Sequence, residues 1–200
     1  MNPNKIVITG TIGSGKSAVS EIIKDLGFDV ISADDINRNL LKPGERNFEA
    51  IKKDPFFRKA FDGGSLNKKA LAKMIFAAPD LMKRLNGITH PIIVEEMENE
   101  IGKLSCKNVF IEIPLYYQMD VKFPADLVLF VSADRDIQAK RLAQRDSIGS
   151  FYAESKIRNQ ENFMGERDDR EIIINNNSTL EDLREKVINI LRMEKIYENN

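Results

Sequence analysis

The sequence predicts an α/β protein in three layers, a five-stranded parallel sheet covered on both faces by helices. Three observations predict it. Short apolar runs rich in Val and Ile alternate with segments whose apolar residues recur at helical spacing, the pattern of buried parallel strands joined by crossover helices. The first run leads directly into Gly10-Thr11-Ile12-Gly13-Ser14-Gly15-Lys16-Ser17 and then into a helical pattern, so strand, glycine loop and helix come in that order. Between the second and third runs lies a long helical stretch with no strand of its own.

Lys5-Ile6-Val7-Ile8-Thr9 is the first strand. After the glycine loop, Ala18, Val19, Ile22, Ile23 and Leu26 mark a helix that Gly27 stops. Phe28-Asp29-Val30-Ile31 reads as the second strand. Ser32 and Asp35 have capping-box spacing at the start of the next helix, which Lys42-Pro43-Gly44 ends. From Glu45 to Cys106 the composition is helical, around 67–77, 80–86 and 91–104, with breaks at Asp62-Gly63-Gly64, Pro79 and His90-Pro91. Strands return at 108–113, stopped by Pro114, and at 126–131; helices follow over 135–145 and 152–163. A short fifth strand covers 171–174. The last helix runs from Thr179 to Arg192 with Leu180, Leu183, Val187, Ile190 and Leu191 on one face, and the tail from Ile196 onward is expected to fray.

The glycine loop fits G-x-x-x-x-G-K-[ST] at every fixed position. Glycines let successive N–H groups turn inward around a polyphosphate, and the helix that starts there adds the positive end of its dipole. Lys16 supplies a mobile charge for β- and γ-phosphates, and the Ser17 hydroxyl suits Mg²⁺. In parallel sheets ligands bind beyond the carboxyl ends of the strands, where this loop falls.

Lys and Arg (30) nearly balance Asp and Glu (31), so no global field points to nucleic acid or an anionic membrane. The single cysteine, Cys106, cannot close an internal disulfide; it fits a reducing compartment and reads as a helix-end residue. No run approaches the roughly 18 apolar residues of a bilayer span, and Met1-Asn2-Pro3-Asn4 leaves no room for a signal peptide before the first strand. The expectation is a cytoplasmic protein with a small-molecule partner, neither nucleic acid nor membrane. Oligomeric state is not encoded in any recognisable way.

Other residues have chemistry suited to phosphoryl transfer. Asp34, just past the second strand on the rim of the glycine loop, can take or orient the proton of an attacking hydroxyl; its alternative is an acid favouring the helix dipole. Glu112, at the end of the third strand, stands where an acid helps hold Mg²⁺, although Asp is the usual residue there. Gln138, Arg141 and Arg145 share one helical face, which either sets positive charge over a transferring phosphate or is simply solvated. His90, the single histidine, reads as a cap or packing residue by position, with a catalytic part as the alternative, and one His with one Cys speaks against a structural zinc site or a Cys–His nucleophile.

Taken together, these segments resemble the dephospho-coenzyme A kinase family over nearly the whole chain. Thr9 to Ser17 resembles its T-G-G-I-G-S-G-K-[ST], Ile31-Ser32-Ala33-Asp34 its I-D-A-D, and Lys42-Pro43-Gly44 its E-P-G. Gly64 to Leu71, Ile75-Phe76, Pro79 and Thr89-His90-Pro91-Ile92-Ile93 resemble the family's helical insertion, whose H-P segment other small kinases of this loop class lack at that place. Ile113-Pro114-Leu115 matches V-P-L, Gln138 to Asp146 matches Q-x-x-R-x-x-x-R-D, and Gln160 and Asn176 have counterparts.

The resemblance implies a P-loop fold of nucleoside-monophosphate-kinase type, with the third strand between the first and second. It implies transfer of phosphate from ATP, with Mg²⁺, to the ribose 3′-hydroxyl of dephospho-coenzyme A, the last step of coenzyme A synthesis. Lys16, Asp34 (as base) and Arg141 (in a lid) would be catalytic. Gly10, Thr11, Ile12, Gly13, Ser14, Gly15, Lys16, Ser17, Ala18, Arg145 and Asn176 would bind nucleotide, and Ser17 and Glu112 the metal. Asp34, His90, Pro114 and Leu115 would meet the acceptor. The implied organisation is a core over about 1–40, 107–134 and 166–200, an acceptor-binding insertion over about 45–106, and a lid over about 135–165; were Arg141 not the lid cation, Lys156, Arg158 or Arg167 would have to take that part. Thr11, Ala18, Ser32 and Gln118 depart from the family's usual residues. The alternatives are another small-molecule kinase of this loop class, acting on a nucleoside, nucleotide or sugar acid, and a nucleotide-dependent switch. For a guanine switch, an N-K-x-D after a strand is missing: Asn67-Lys68-Lys69-Ala70 lacks the aspartate.

Overall fold

The structure is a computed structural model and describes residues 3–119, 121–161 and 169–197. Its centre is β1 (Asn4–Gly10), a strand buried on both faces along most of its length because helices cover both sides of a parallel sheet. β1 pairs in parallel with β5 (Asn108–Glu112) on one side and β6 (Leu127–Ser132) on the other. β2 (Val30–Ser32) lies outside β5, and β7 (Glu171–Asn175) outside β6, giving the order β2-β5-β1-β6-β7. The third strand of the sheet in chain order therefore stands between the first and second, as the resemblance implied.

One face of the sheet packs on α1 (Lys16–Asp25) and α8 (Leu180–Met193). Ile6, Ile8, Phe110, Leu129, Val131 and Ile174 from the strands meet Val19, Ile22 and Ile23 of α1 and Leu183, Val187 and Leu191 of α8. α8 starts at a capping box, with Thr179 and Asp182 each accepting from the other's backbone N–H. Leu180, expected on the buried face, is 66% exposed; it occupies the first position after the cap, where the helix has not yet reached the core. The tail does not fray at Ile196 and Tyr197. The Ile196 N–H bonds the Leu191 carbonyl at 2.8 Å, and Tyr197 sets its ring edge-to-face against Phe28.

The chain divides into two compact units. The sheet unit comprises Met1–Ile31, Leu104–Gln118 and Pro124–Asn200. It includes α6 (Arg135–Asp146) and α7 (Ser150–Glu161), which clasp a small core of Leu142, Ala153 and Ile157 with Ile12 of the glycine loop packed against it. The second unit, Ser32–Lys103 with Met119–Phe123, holds α2 (Ala33–Leu40), α3 (Arg46–Lys53), α4 (Lys68–Ala77) and α5 (Pro79–Gly102). Its core is Ile51, Phe57, Ala60, Leu71 and Leu85.

Two expectations for this unit are corrected. It contains strands: β3 (Phe61–Asp62) and β4 (Ser65–Leu66) form a hairpin across Gly63-Gly64, too short for alternation to register in the sequence. And 80–86 and 91–104 are one helix, since α5 continues through His90 and Pro91. Proline forfeits one N–H and crowds the carbonyl four residues back, which here belongs to the small Gly87; side chains from Leu85 to Ile101 anchor both halves in the core. Cys106 is a partly buried free thiol in the segment after α5, where burial raises its pKa above the ordinary range.

Because Ile196 and Tyr197 close the edge of the α1–α8 core, replacing both by alanine is expected to cost about 1–3 kcal/mol of unfolding free energy. Urea denaturation followed by circular dichroism checks this, and a change below about 0.3 kcal/mol would restore the frayed tail.

Candidate active site

Gly15 caps α1 at φ +94, a left-handed conformation that turns the chain from loop to helix, and Lys16 is the first helical residue. A Cβ at Gly15 would lie 2.3 Å from Asn176 Nδ2, and one at Gly10 would lie 2.0 Å from the Val131 carbonyl oxygen. The loop is thus threaded where only bare backbone fits. Its carbonyls are tied down: Asn176 Nδ2 donates to the Ser14 oxygen at 2.7 Å, and Arg141 Nη1 donates to the same oxygen at 3.3 Å and to the Asn176 oxygen at 3.0 Å. Lys16 Nζ donates to the carbonyls of Gly10 (3.1 Å) and Thr11 (2.9 Å). Among the described residues, the N–H groups of Gly13, Gly15 and Ser17 donate to no protein acceptor. N–H groups without a protein acceptor, a helix N-terminus and a neighbouring lysine are the donors from which an anion cradle is made.

Beside the cradle, Glu112 at the end of β5 accepts from Ser20 Oγ at 2.7 Å and from Ser17 Oγ at 3.4 Å. A hydroxyl and a carboxylate are hard oxygen donors, few in number, which suits a small dication that keeps its waters and shares phosphate oxygens. No cluster of three or more His, Cys, Asp or Glu side chains with metal-binding geometry exists among the described residues, so a closed protein cage is absent from them. The residues present fit Mg²⁺ in that half-protein manner.

α6 divides its expected polar face. Gln138 is buried, donating to the Ala133 carbonyl, and its backbone stands directly over Gly13. Arg141 lies against the loop, as described. Arg145 is exposed and pairs with Asp146 at 2.8 Å, and Lys156 of α7 reaches the same carboxylate at 2.9 Å. These two cations hold the Asp146 carboxyl down to about 2. From α7, Gln160 Oε1 accepts from the Ile12 N–H at 2.5 Å.

At the carboxyl ends of β1, β5 and β6, Thr9, Gly10, Pro114, Leu115, Tyr117 and Gln160 line a cleft. The Thr9 hydroxyl donates to the Pro114 carbonyl at 3.4 Å, Tyr117 donates to Glu171, and Leu115 is half exposed. Gln118 also lines the cleft, which has no charged side chain in its wall.

A sequence profile of the dephospho-CoA kinase family matches residues 5–182. The chain belongs to the dephospho-CoA kinase family. Its sequence is 33% identical over 194 residues to the dephospho-CoA kinase of Halalkalibacterium halodurans, covering 96% of each chain. It is also 33% identical over 187 residues to that of Syntrophotalea carbinolica, covering 92% of this chain and 89% of that one. Its fold is similar to the crystal structure of TT1252 from Thermus thermophilus, with a TM-score of 0.78 at 26% identity over 96% of this chain and 98% of that one. As a member of this family the chain is a kinase with a nucleotide-binding P-loop.

The other two residues expected of a dephospho-CoA kinase lie in the second unit. Asp34 is exposed in the first turn of α2, whose cap is made by Ser32 Oγ accepting from the Asp35 N–H at 3.2 Å. Asp35 itself pairs with Arg38 at 2.8 Å. The helix is therefore capped by Ser32 and carries an Asp35–Arg38 ion pair in its first turns. His90 is partly buried within α5 and not at a helix start. Arg158 is an exposed residue of α7, and Arg167 lies outside the described residues.

Sequence reasoning passed over Ser20 and gave Gln160 no role. Ser20 sits one helical turn beyond Ser17, so its spacing was the available signal. Asn176 was expected among nucleotide contacts; in the structure its side chain holds the Ser14 carbonyl.

The Asp146 pair carries a sign. A carboxyl depressed in the folded state stabilises above its unfolded pKa and loses that contribution as pH falls towards about 2. Asp146→Asn is therefore expected to lower the melting temperature at pH 7, with the gap to the wild type closing below pH 4. Thermal melts from pH 7 to pH 2.5 test this, and a gap that stays constant would rule the ion pairs out.

Proposed function

We propose that this chain transfers the γ-phosphoryl group of ATP to the ribose 3′-hydroxyl of dephospho-CoA, giving CoA and ADP, and that it does so in the cytoplasm. The observation that carries the reading is the phosphate loop itself, with N–H donors that meet no described protein acceptor and carbonyls fastened by Asn176, Arg141 and Lys16, in a chain related to named dephospho-CoA kinases.

In this reading Gly10 to Ala18 wrap the ATP phosphates. Lys16, which donates to the Gly10 and Thr11 carbonyls in this structure, turns to the β- and γ-oxygens. Ser17 and Glu112 hold Mg²⁺, which when bound offsets charge on the phosphate oxygens. Asp34 accepts the proton of the 3′-hydroxyl as its oxygen forms the new bond to the γ-phosphorus and the bond to the β–γ bridging oxygen breaks. Arg141 has guanidinium N–H groups beyond Nη1 to set against the transferring phosphoryl group, and Arg145 adds ground-state attraction. Residues 45–106, with His90, together with Pro114 and Leu115, receive the acceptor, and 135–165 serve as the lid. The near balance of charge agrees with a small-molecule partner and not with nucleic acid. Among the described residues no helix is long and apolar enough to cross a membrane.

A coupled ADP-release assay with dephospho-CoA, nucleoside monophosphates, gluconate and shikimate tests the acceptor; turnover is expected with dephospho-CoA, and preference for another acceptor would replace the reading. Lys16→Ala is expected to abolish transfer in a folded protein. Asp34→Asn should lower kcat by roughly 10²-fold or more with ATP binding little changed. A lowered melting temperature at unchanged kcat would make Asp34 a helix residue only.

Arg141 has two separable tasks. If it meets the moving phosphoryl group, Arg141→Ala lowers kcat more than it raises KM, and Arg141→Lys restores only part of the activity because the planar fork is lost. Steady-state kinetics with both substrates varied decide this; kcat within about twofold of wild type for Arg141→Ala would leave it a loop fastener alone.

A further inference from the structure

Gln160 sits on α7 with its side chain against the phosphate loop at Ile12. Its Oε1 is committed to the Ile12 N–H at 2.5 Å. That contact also fixes which end of the amide is which, because a backbone N–H can be met only by the oxygen. The Nε2 group, with two N–H donors, is the polar end left over, and it makes no hydrogen bond to another described residue. Gln160 lines the same cleft as Thr9 and Gly10. Gly10 in turn lends its carbonyl to Lys16 Nζ, the group that serves the β- and γ-phosphates in loops of this kind. The cleft therefore opens at the terminal-phosphate end of the cradle. The side chains of its wall are uncharged.

We infer that Gln160 is a phosphate-contacting residue: with its oxygen anchored on Ile12, its Nε2 donates a hydrogen bond to an oxygen of the terminal phosphoryl group of ATP. The inference rests on the phosphate-loop kinase reading and adds to it a neutral donor, carried by α7, that distinguishes a nucleoside triphosphate from a diphosphate. The anchoring explains how a side chain from a neighbouring helix is aimed. Ile12 packs its own side chain into the Leu142–Ala153–Ile157 core, so backbone and side chain of one loop residue both bind α6 and α7.

The test uses the full chain and two nucleotides as probes. Gln160→Glu keeps an oxygen for the Ile12 N–H and puts a second carboxylate oxygen where the donors were. It is expected to weaken ATP binding by roughly tenfold or more, the weight of one hydrogen bond to a charged group, while ADP affinity stays within about twofold. Gln160→Met removes both polar ends and is expected to weaken ATP severalfold with the same sparing of ADP. Calorimetric titration of each protein with ATP and with ADP reads this, with thermal melts to confirm folding. The Met variant carries the test if the Glu variant does not fold. ATP binding by Gln160→Glu equal to wild type overturns the inference, and so does an equal loss for ATP and ADP, which would make Gln160 a support for Ile12 alone. The acceptor plays no part in these titrations. Normal ATP binding without turnover of dephospho-CoA would therefore overturn the acceptor assignment and leave this inference standing, and a wild type that binds no ATP would overturn both.

Discussion

Two donors on one carbonyl oxygen hold the phosphate loop in its working shape. A loop that points N–H groups inward must point carbonyls elsewhere, and an unpaired buried carbonyl is costly. The Ser14 oxygen is met by Asn176 Nδ2 and Arg141 Nη1, the first from the turn after β7 and the second from α6. Those two elements are themselves joined: Asn177 exchanges hydrogen bonds with Asp134 at 2.8 Å in both directions, and the Asn176 N–H bonds the Ser132 carbonyl at 2.8 Å. The loop is thus fastened to the carboxyl ends of β6 and β7, and the bareness of Gly15 follows, since the Asn176 amide occupies the space a Cβ would take.

Charge around the loop is sorted by pairing. Asp146 collects Arg145 and Lys156 at the α6–α7 junction, and Asp35 collects Arg38 on α2. These are exposed pairs that add little to global stability. Their effect is on placement. Arg141 rests on neutral carbonyls, which release a cation to an anionic ligand more readily than a carboxylate would. Glu112 is the acid that stands next to the loop hydroxyl, held by Ser20, in a position to share a metal with phosphate.

Much of this was readable in the residues. Five apolar runs became five parallel strands, and the three inner ones, β1, β5 and β6, are continuous because strands buried on both faces cannot alternate. The phosphate loop was readable because its chemistry is backbone chemistry, encoded by glycines at fixed spacing next to Lys16 and Ser17. The misreadings have local causes. His90-Pro91 reads as a helix break in sequence because proline opposes helix in isolation, whereas the packed faces of α5 outweigh one lost hydrogen bond. The β3–β4 hairpin is too short to leave a period, and Ile196 and Tyr197 lie in a polar tail whose two apolar residues find the Phe28 edge of the core only in three dimensions.

By itself, then, the sequence determined the fold class, the strand–loop–helix cradle and the cations and acids available to it, since each depends on residue type and spacing along one segment. The tertiary structure alone decided how those groups are spent. It set Arg141 on the Ser14 carbonyl while Arg145, one helical turn away, went to Asp146. It brought Ser20 to Glu112 across 92 residues and Gln160 to Ile12 across 148. Hydrogen bonds between residues so far apart have no period and no local signature. They exist only because the sheet order and the packing of helices on it bring separate segments within 3 Å of each other.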